Sequence, residues 1–454
     1  MAENYVLLET IELTQSAASV TFDNIPQTGY TDLKIVASTR NDAAAVQVVN
    51  TLKLGSIVTG YADKYLYGSG SAAGSGSFSA TSGFMGDAPG ASATASTFGN
   101  QEIYIPNYLS SNAKSWSVDS VAENNATGAF MELTAVSNTS TAAISSVTIA
   151  PITGNFVQYS TFSLYGVADV NTTPVTAPFA TGGNIVANDG TYWYHAFLTS
   201  GTFTPAKAIT CDYLVVAGGG GGGKGLNAGA GGAGGLRSTV TATGGGGALE
   251  SALSLTAQAY SVTVGAGGAG GVSNGNNGIV GSNSILSTIT STGGGYGGGP
   301  NYGAGYNNGG PGGSGGGGGL YNTLGGAASP DGQGYAGGAS VQDAGGVQAG
   351  GGGGAGAVGT TGLGTGPVLG TGGAGLQLTA FSTATNTGAS GYYAGGGGGG
   401  ANAGLASGGA GGGGAAGVAG TANTGGGGGG AGNAGGNTSG AGGSGIVIIR
   451  YAMA

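Results

Sequence analysis

The residues most suggestive of chemistry are six consecutive glycines and a lysine, Gly218–Gly223 and Lys224, which directly follow the apolar run Tyr213–Ala217. Glycine backbone N–H groups and a lysine after a strand are the parts of a phosphate-binding loop. Two parts are missing. Gly225 stands where a hydroxyl would bind magnesium, and "LNAGAGGAGGLRS" cannot form the helix that would hold the anion, because each glycine costs a helix ~1 kcal/mol relative to alanine. A dinucleotide fingerprint fails likewise. It needs a helix and an acid about 20 positions on, and the first acid is Glu250, beyond a second glycine block.

Other reactive side chains are sparse. His195 is the sole histidine and lies among aromatics; it has no cysteine or second histidine nearby, so it reads as a packed strand residue. Cys211, the sole cysteine, sits in an apolar run and reads as a small buried side chain. Neither a disulfide frame nor a metal cluster is expected. A glycosidase needs two carboxylates roughly 5–10 Å apart, whereas the four acids after Cys211 (Asp212, Glu250, Asp331 and Asp343) are scattered. The expectation is a protein without catalytic residues, metal or cofactor.

Charge narrows the partners. The net charge is −9, and residues from Cys211 onward hold four acids and three bases, −4 + 3 = −1, leaving −8 for the first part. That balance lacks the basic footprint that nucleic acid or an anionic membrane demands. No run approaches the ~18 apolar residues of a membrane span. "MAENYVLLETIEL" has acids where a signal peptide is basic, so synthesis in a cytoplasm without a Sec-type address is expected.

The elements that would position any site divide in two. Residues 1–169 alternate apolar and polar side chains in short runs such as "DLKIVAST", "KSWSVDSV" and "TFSLYGV". A period of two means one buried face and one solvated face, and so many short runs predict an all-β, antiparallel, jelly-roll-like β-sandwich. Lys64–Gly99 reads as a long, small, polar loop, either a functional surface loop or, the reading favoured, a loosely packed edge that docks on a partner chain. Residues 170–183 read as a linker and 184–454 as a glycine-rich domain, framed by strands in 184–217 and 445–451.

Beyond Cys211 the chain is dense in glycine, with unbroken blocks at 218–223, 244–247, 315–319, 350–354, 395–400, 411–414 and 425–430. Collagen is excluded by the irregular period and by only 11 prolines. Disorder fits poorly with the low charge and the ten tyrosines after Cys211. Packed polyglycine-II helices fit best. This three-residue helix has no internal hydrogen bonds, so every N–H and C=O points outward and must be met by neighbours. Inner helices should be all glycine, while outer ones tolerate Ala, Ser or Asn at every third position. Ordering each residue costs ~1–2 kcal/mol and each bond returns ~0.5–1.5, so the flanking strands must supply the surplus.

The segments joining the blocks carry Tyr and Asn: Tyr296, Asn301, Tyr302, Tyr306, Asn307, Tyr321, Tyr335, Tyr392 and Tyr393. Tyrosine offers a large amphipathic face at low entropic cost and asparagine adaptable hydrogen bonds. These nine are the candidate binding residues, at loop tips. The alternative reading is that the tyrosines cover the open sides of the bundle. An ice-binding face would need a regular Thr or Ala array, which the spacing does not show.

"IPQTGYTDLKIVASTR" with "STFSLYGV" resembles the N-terminal β-sandwich of structural proteins of tailed phages, cyanophages especially. "YHAFLTSGTFTP", "YLVVAGGGGGG", "YSVTVGAGGAGG" and "SGIVIIRY" resemble the phage glycine-rich domain. The resemblance implies a virion protein, a homotrimeric tail fibre or adhesin partnered by other tail or capsid proteins, whose loops read a host surface receptor such as a polysaccharide. The alternative it implies is a head fibre or capsid decoration protein with no receptor role.

Overall fold

In Lys114–Glu123 every second side chain is buried, and Ala129–Asn138 shows the same alternation toward its end. The two pair antiparallel from Ala129↔Glu123 to Asn138↔Lys114, as the period of two requires. The computed structural model describes residues 5–70, 72–78, 81–123, 129–168, 178–300, 308–343, 346–364, 368–401, 404–432 and 437–453. The chain forms two compact units. One is Met1–Pro178 with Asn184–Thr191 and Met453–Ala454; the other is Phe179–Gly183 with Tyr192–Ala452. Among the described residues the fold is all-β apart from one short α-helix, Thr379–Thr385, and a single 3-10 turn.

The first unit is a two-layer sandwich whose described strands before residue 170 are β1 Tyr5–Glu12, β2 Val20–Phe22, β3 Tyr30–Thr39, β4 Gln47–Leu54, β5 Tyr61–Ser69, β6 Ala72–Gly76, β7 Gly83–Pro89, β8 Gly99–Ile105, β9 Lys114–Glu123, β10 Ala129–Asn138, β11 Val147–Pro151 and β12 Thr161–Ala168. One sheet runs β1-β12-β3-β8-β9-β10-β5-β6 and the other β2-β11-β4-β7. The chain crosses repeatedly between the layers and closes on a core that includes Phe22, Leu33, Ile35, Leu52, Ile103, Val147, Ile149 and Phe162.

Two sequence expectations change here. Lys64–Gly99 is largely strand, not loop: it supplies most of β5 and all of β6 and β7. The glycines of β6 have a packing reason. A Cβ at Gly74 or Gly76 would lie 2.7 Å or 2.6 Å from the ring of Tyr67 or Tyr65, and those rings stack on Phe130 and Phe84. The boundary also differs. Ile185–Asn188 extends the first sheet by pairing with β1 (Glu9↔Ala187, Ile11↔Ile185), because its alternating Ile185 and Ala187 find a buried face there. Ala180–Thr181 pairs instead with Thr204 and Pro205 of the second unit. Residues 170–177 of the expected linker lie outside the described residues.

The second unit is framed by an antiparallel sheet in the order Tyr192–Phe197, Ile446–Ala452, Ile209–Val216, Leu236–Ser238. From Val216 the chain runs straight into the first glycine block, whose hydrogen bonds repeat every third residue. The N–H groups of Ala217, Gly220 and Gly223 reach the carbonyls of Gly235, Gly232 and Gly229. Those of Gly218, Gly221 and Lys224 reach Ser282, Ile279 and Asn276, and those of Gly219 and Gly222 reach Gly443 and Gly440. All three neighbours run antiparallel. Its carbonyls accept from three parallel segments: Gly268 and Gly271, Gly294 and Gly297, Gly428 and Ala431. One rod thus has six neighbours, and its three-residue period is that of polyglycine II.

Side chains are excluded by this proximity. A Cβ at Gly218, Gly219, Gly220 or Gly221 would lie 2.0–2.1 Å from a carbonyl oxygen of Ala266, Gly426, Gly295 or Ala269. The rule that inner rods are all glycine is nevertheless too strict. Segment 228–235 also bonds to six neighbours, yet carries Ala228, Ala230 and Ala233, each fully buried. The N–H groups of Ala230 and Ala233 reach Gly350 and Gly353 at 3.3 Å and 2.9 Å, while the Ala230 methyl lies beside Gly397 of another rod. The block 244–247 is not a rod at all. It makes a single 3-10 turn with Gly245 and Gly246 left-handed, at φ 64° and 67°.

Candidate functional site

The candidate tip residues do not gather in one place. Tyr296 lies within rod 292–299, half-buried, its ring over Gly310, where a Cβ would stand 2.4 Å from it. Tyr321 is half-buried with φ 59°, in the turn where the Leu320 N–H reaches the Asn227 carbonyl. That turn shares the end of the bundle marked by Lys224, since Gly223 bonds Gly229 two residues beyond Asn227. Tyr335 is half-buried inside a rod: its N–H donates to the Gly354 carbonyl, its carbonyl accepts from Gly315, and its hydroxyl lies beside Gly246. Tyr392 and Tyr393 pair with Gln377 and Leu376 at the opposite end, where the Ala394 N–H reaches the Thr424 carbonyl. Asn301, Tyr302, Tyr306 and Asn307 lie outside the described residues.

Tyr393 departs from its expected place at an exposed tip. It is 0% exposed and its hydroxyl is 2.7 Å from Thr387 Oγ1, because the helix Thr379–Thr385 and the turn after it close over the ring. Burial raises its phenol. Tyr296 and Tyr335 cover glycine segments, as in the alternative reading of the tyrosines.

The remaining reactive groups are engaged in packing. His195 is fully buried; its Nδ1–H donates to the Gly182 carbonyl at 2.6 Å, which leaves Nε2 to accept from the Tyr451 hydroxyl at 3.1 Å. Burial lowers its pKa to about 4, so it stays neutral. Burial pushes the Cys211 thiol up to about 12, with its Sγ directed at the Leu253 carbonyl. Such a thiol is inert. The charged residues of the frame clamp strands. Arg237 forms a two-bond pair with Glu250, which also accepts from the Tyr213 hydroxyl. Arg450 pairs with Asp212 at 3.1 Å, donates to the Ala380 carbonyl, and lies 4.4 Å from the Tyr192 ring centroid. Among the described residues no group of three His, Cys, Asp or Glu side chains could hold a metal ion. No helix among them is long and apolar enough to cross a membrane.

Residues 198–452 match the family of the glycine-rich domain. The chain belongs to this family. No match was found among curated proteins or among solved structures. In this member of the glycine-rich domain family, the matched region begins just after Phe197 and ends with the closing strand Ile446–Ala452, so it takes in the rods and most of their frame.

Two features of the sandwich escaped sequence reasoning. A cavity of about 640 Å³ opens on the outer face of the first sheet, against Lys64, Leu66, Ser75, Ser117 and Leu133. Asp63, Asp87 and Glu132 turn into the interior. The signal was available for Glu132, which is in phase with buried Thr134 and Val136.

Proposed function

We propose that the chain is a structural protein of a phage particle, a tail fibre or adhesin whose glycine-rich domain presents loops to a host surface glycan. The observation that carries this reading is the six-neighboured rod 217–224. A bundle in which backbone meets backbone is stiff and leaves no side chain free for chemistry, so recognition falls to the segments between rods. The reading is non-enzymatic and cofactor-free. The resemblance of the sequence to phage virion proteins supports the particle, and a homotrimer follows from the same analogy. Tyr321 and the segment holding Asn301, Tyr302, Tyr306 and Asn307 are the contact residues favoured; Tyr296 and Tyr335 are half-buried over glycine segments, and Tyr392 lies at the other end of the bundle.

Deleting Pro300–Pro311 from the protein in assembled particles tests this. Adsorption to host cells should fall by about 10-fold or more, since loss of a few aromatic contacts costs ~1.4 kcal/mol per decade, while particle yield is unchanged. Unchanged adsorption in particles of normal composition would favour a head fibre or decoration protein.

A further inference from the structure

Three carboxyl groups inside the sandwich have no ion-pair partner among the described residues. Glu132 on β10 is 2% exposed; its Oε2 accepts the backbone N–H of Asp87 on β7 at 3.1 Å and the Ser120 hydroxyl on β9 at 3.4 Å. The Asp87 carboxyl has a buried Oδ1 without a partner, and Gln101 Nε2 on β8 holds the Asp87 carbonyl at 2.8 Å. Asp63 on β5 accepts the backbone N–H groups of Phe78 and Phe84, and its Oδ2 is also buried and unpartnered.

These carboxyls meet β7 where its own ladder fails. Pairing with β4 slips so that Met85 and Gly86 stand opposite Asn50 alone. A bulge of this kind leaves backbone groups unpaired, and here carboxyls from the facing sheet take up the slack. Gly86 has φ 88°, and a Cβ there would lie 2.2 Å from Ser120 Oγ, so the bulge presses directly on β9.

Among the described residues no cation forms an ion pair with this cluster. Tyr67 stands opposite Glu132 on β5, and Lys64, the chain neighbour of Asp63, is exposed on the outer face and offsets only part of that carboxyl's burial. The buried cations of the unit are occupied elsewhere. Arg40 donates to the Thr94 and Thr97 carbonyls, and Lys114 to those of Ser110 and Asn112. Burial first, and the Asp87 charge second, raise Glu132 to about 8; burial raises Asp87 to about 6.

We infer that Asp87 and Glu132 form a protonation-dependent latch that fastens β7 to the first sheet most firmly while both carboxyls are protonated and loosens it progressively as they ionise. Both carboxyls of a detached β7 would sit in water and ionise in the ordinary carboxylate range. The detached form therefore binds fewer protons, and detachment grows by up to about tenfold per pH unit for each proton released, between that range and the buried values.

Amide hydrogen exchange of the full chain, with the intrinsic pH dependence divided out, tests this. Protection of residues 83–89 should fall by about tenfold or more between about pH 5.5 and about pH 7.5, while protection of residues 30–39 holds. Glu132→Gln keeps both hydrogen bonds without the charge and should cut the fall to a few-fold, the share left to Asp87. Asp87→Asn removes that group's own proton release and its repulsion of Glu132 and should reduce the fall by less, which decides the matter if the first variant does not fold. Protection of 83–89 that is flat with pH, that falls in step with 30–39, or that falls equally in both variants overturns the latch.

Discussion

A single methyl group measures how closely the rods approach. At Gly221 a Cβ would sit 2.0 Å from the Ala269 carbonyl oxygen, and the neighbour cannot yield, being backbone itself bonded to Ile279. Gly221→Ala should therefore destabilise the second unit by about 3 kcal/mol or more, at or beyond the top of the usual overpacking range, read as a shift of its denaturation midpoint. Ala269→Ser, on the exposed side of an outer rod, should stay within about 0.5 kcal/mol of the parent. Equal losses in the two variants would contradict the packing described here. Sequence carries such distinctions poorly. Glycine has no side chain to announce its neighbours, so Ala230 inside a six-neighboured rod and Ala269 outside one look the same in a string of letters. Tyr393 misled for a related reason: its composition is that of a loop, and only the fold of Thr379–Thr385 over it decides its burial.

At the level of elements, strands were legible wherever a face alternates, as in β3, β9, β10 and the frame strand Ile209–Val216. They were illegible in β6, where glycine and serine replace the apolar face and the rings of Tyr65 and Tyr67 do the covering, and in β7, which is buried almost throughout and so shows no alternation. The rods depend on their frame. Gly445 bonds the Gly265 carbonyl and is followed at once by Ile446–Ala452, the central strand that pairs with both Ile209–Val216 and Tyr192–Phe197. Ending the chain at Gly445 removes Arg450 from Asp212 and Tyr451 from His195. We expect amide protection at 217–224 in that truncated chain to collapse to coil values, since rod hydrogen bonds alone roughly cancel the ordering entropy. Retained protection would mean that the rods stand without the frame.

For the molecule as a whole, the bundle is knit from residues remote in sequence: Gly219 bonds Gly443, Ala228 bonds Ala431, and Ala230 bonds Gly350. Closing such distant pairs before any reward accrues makes folding slow. In the sandwich many pairings are also remote, but β8, β9 and β10 form consecutive hairpins. Pulse-labelled exchange during refolding should show protection in residues 99–138 at least about tenfold sooner than in 217–224, and simultaneous protection would count against it. The threefold repeat also limits how such a protein can change over generations. One residue added within a rod turns every later N–H by a third of a revolution, away from its acceptor and toward a different neighbour. Lineages carrying this architecture should lengthen or shorten their rods by triplets, a coding-frame rule written a second time in the backbone.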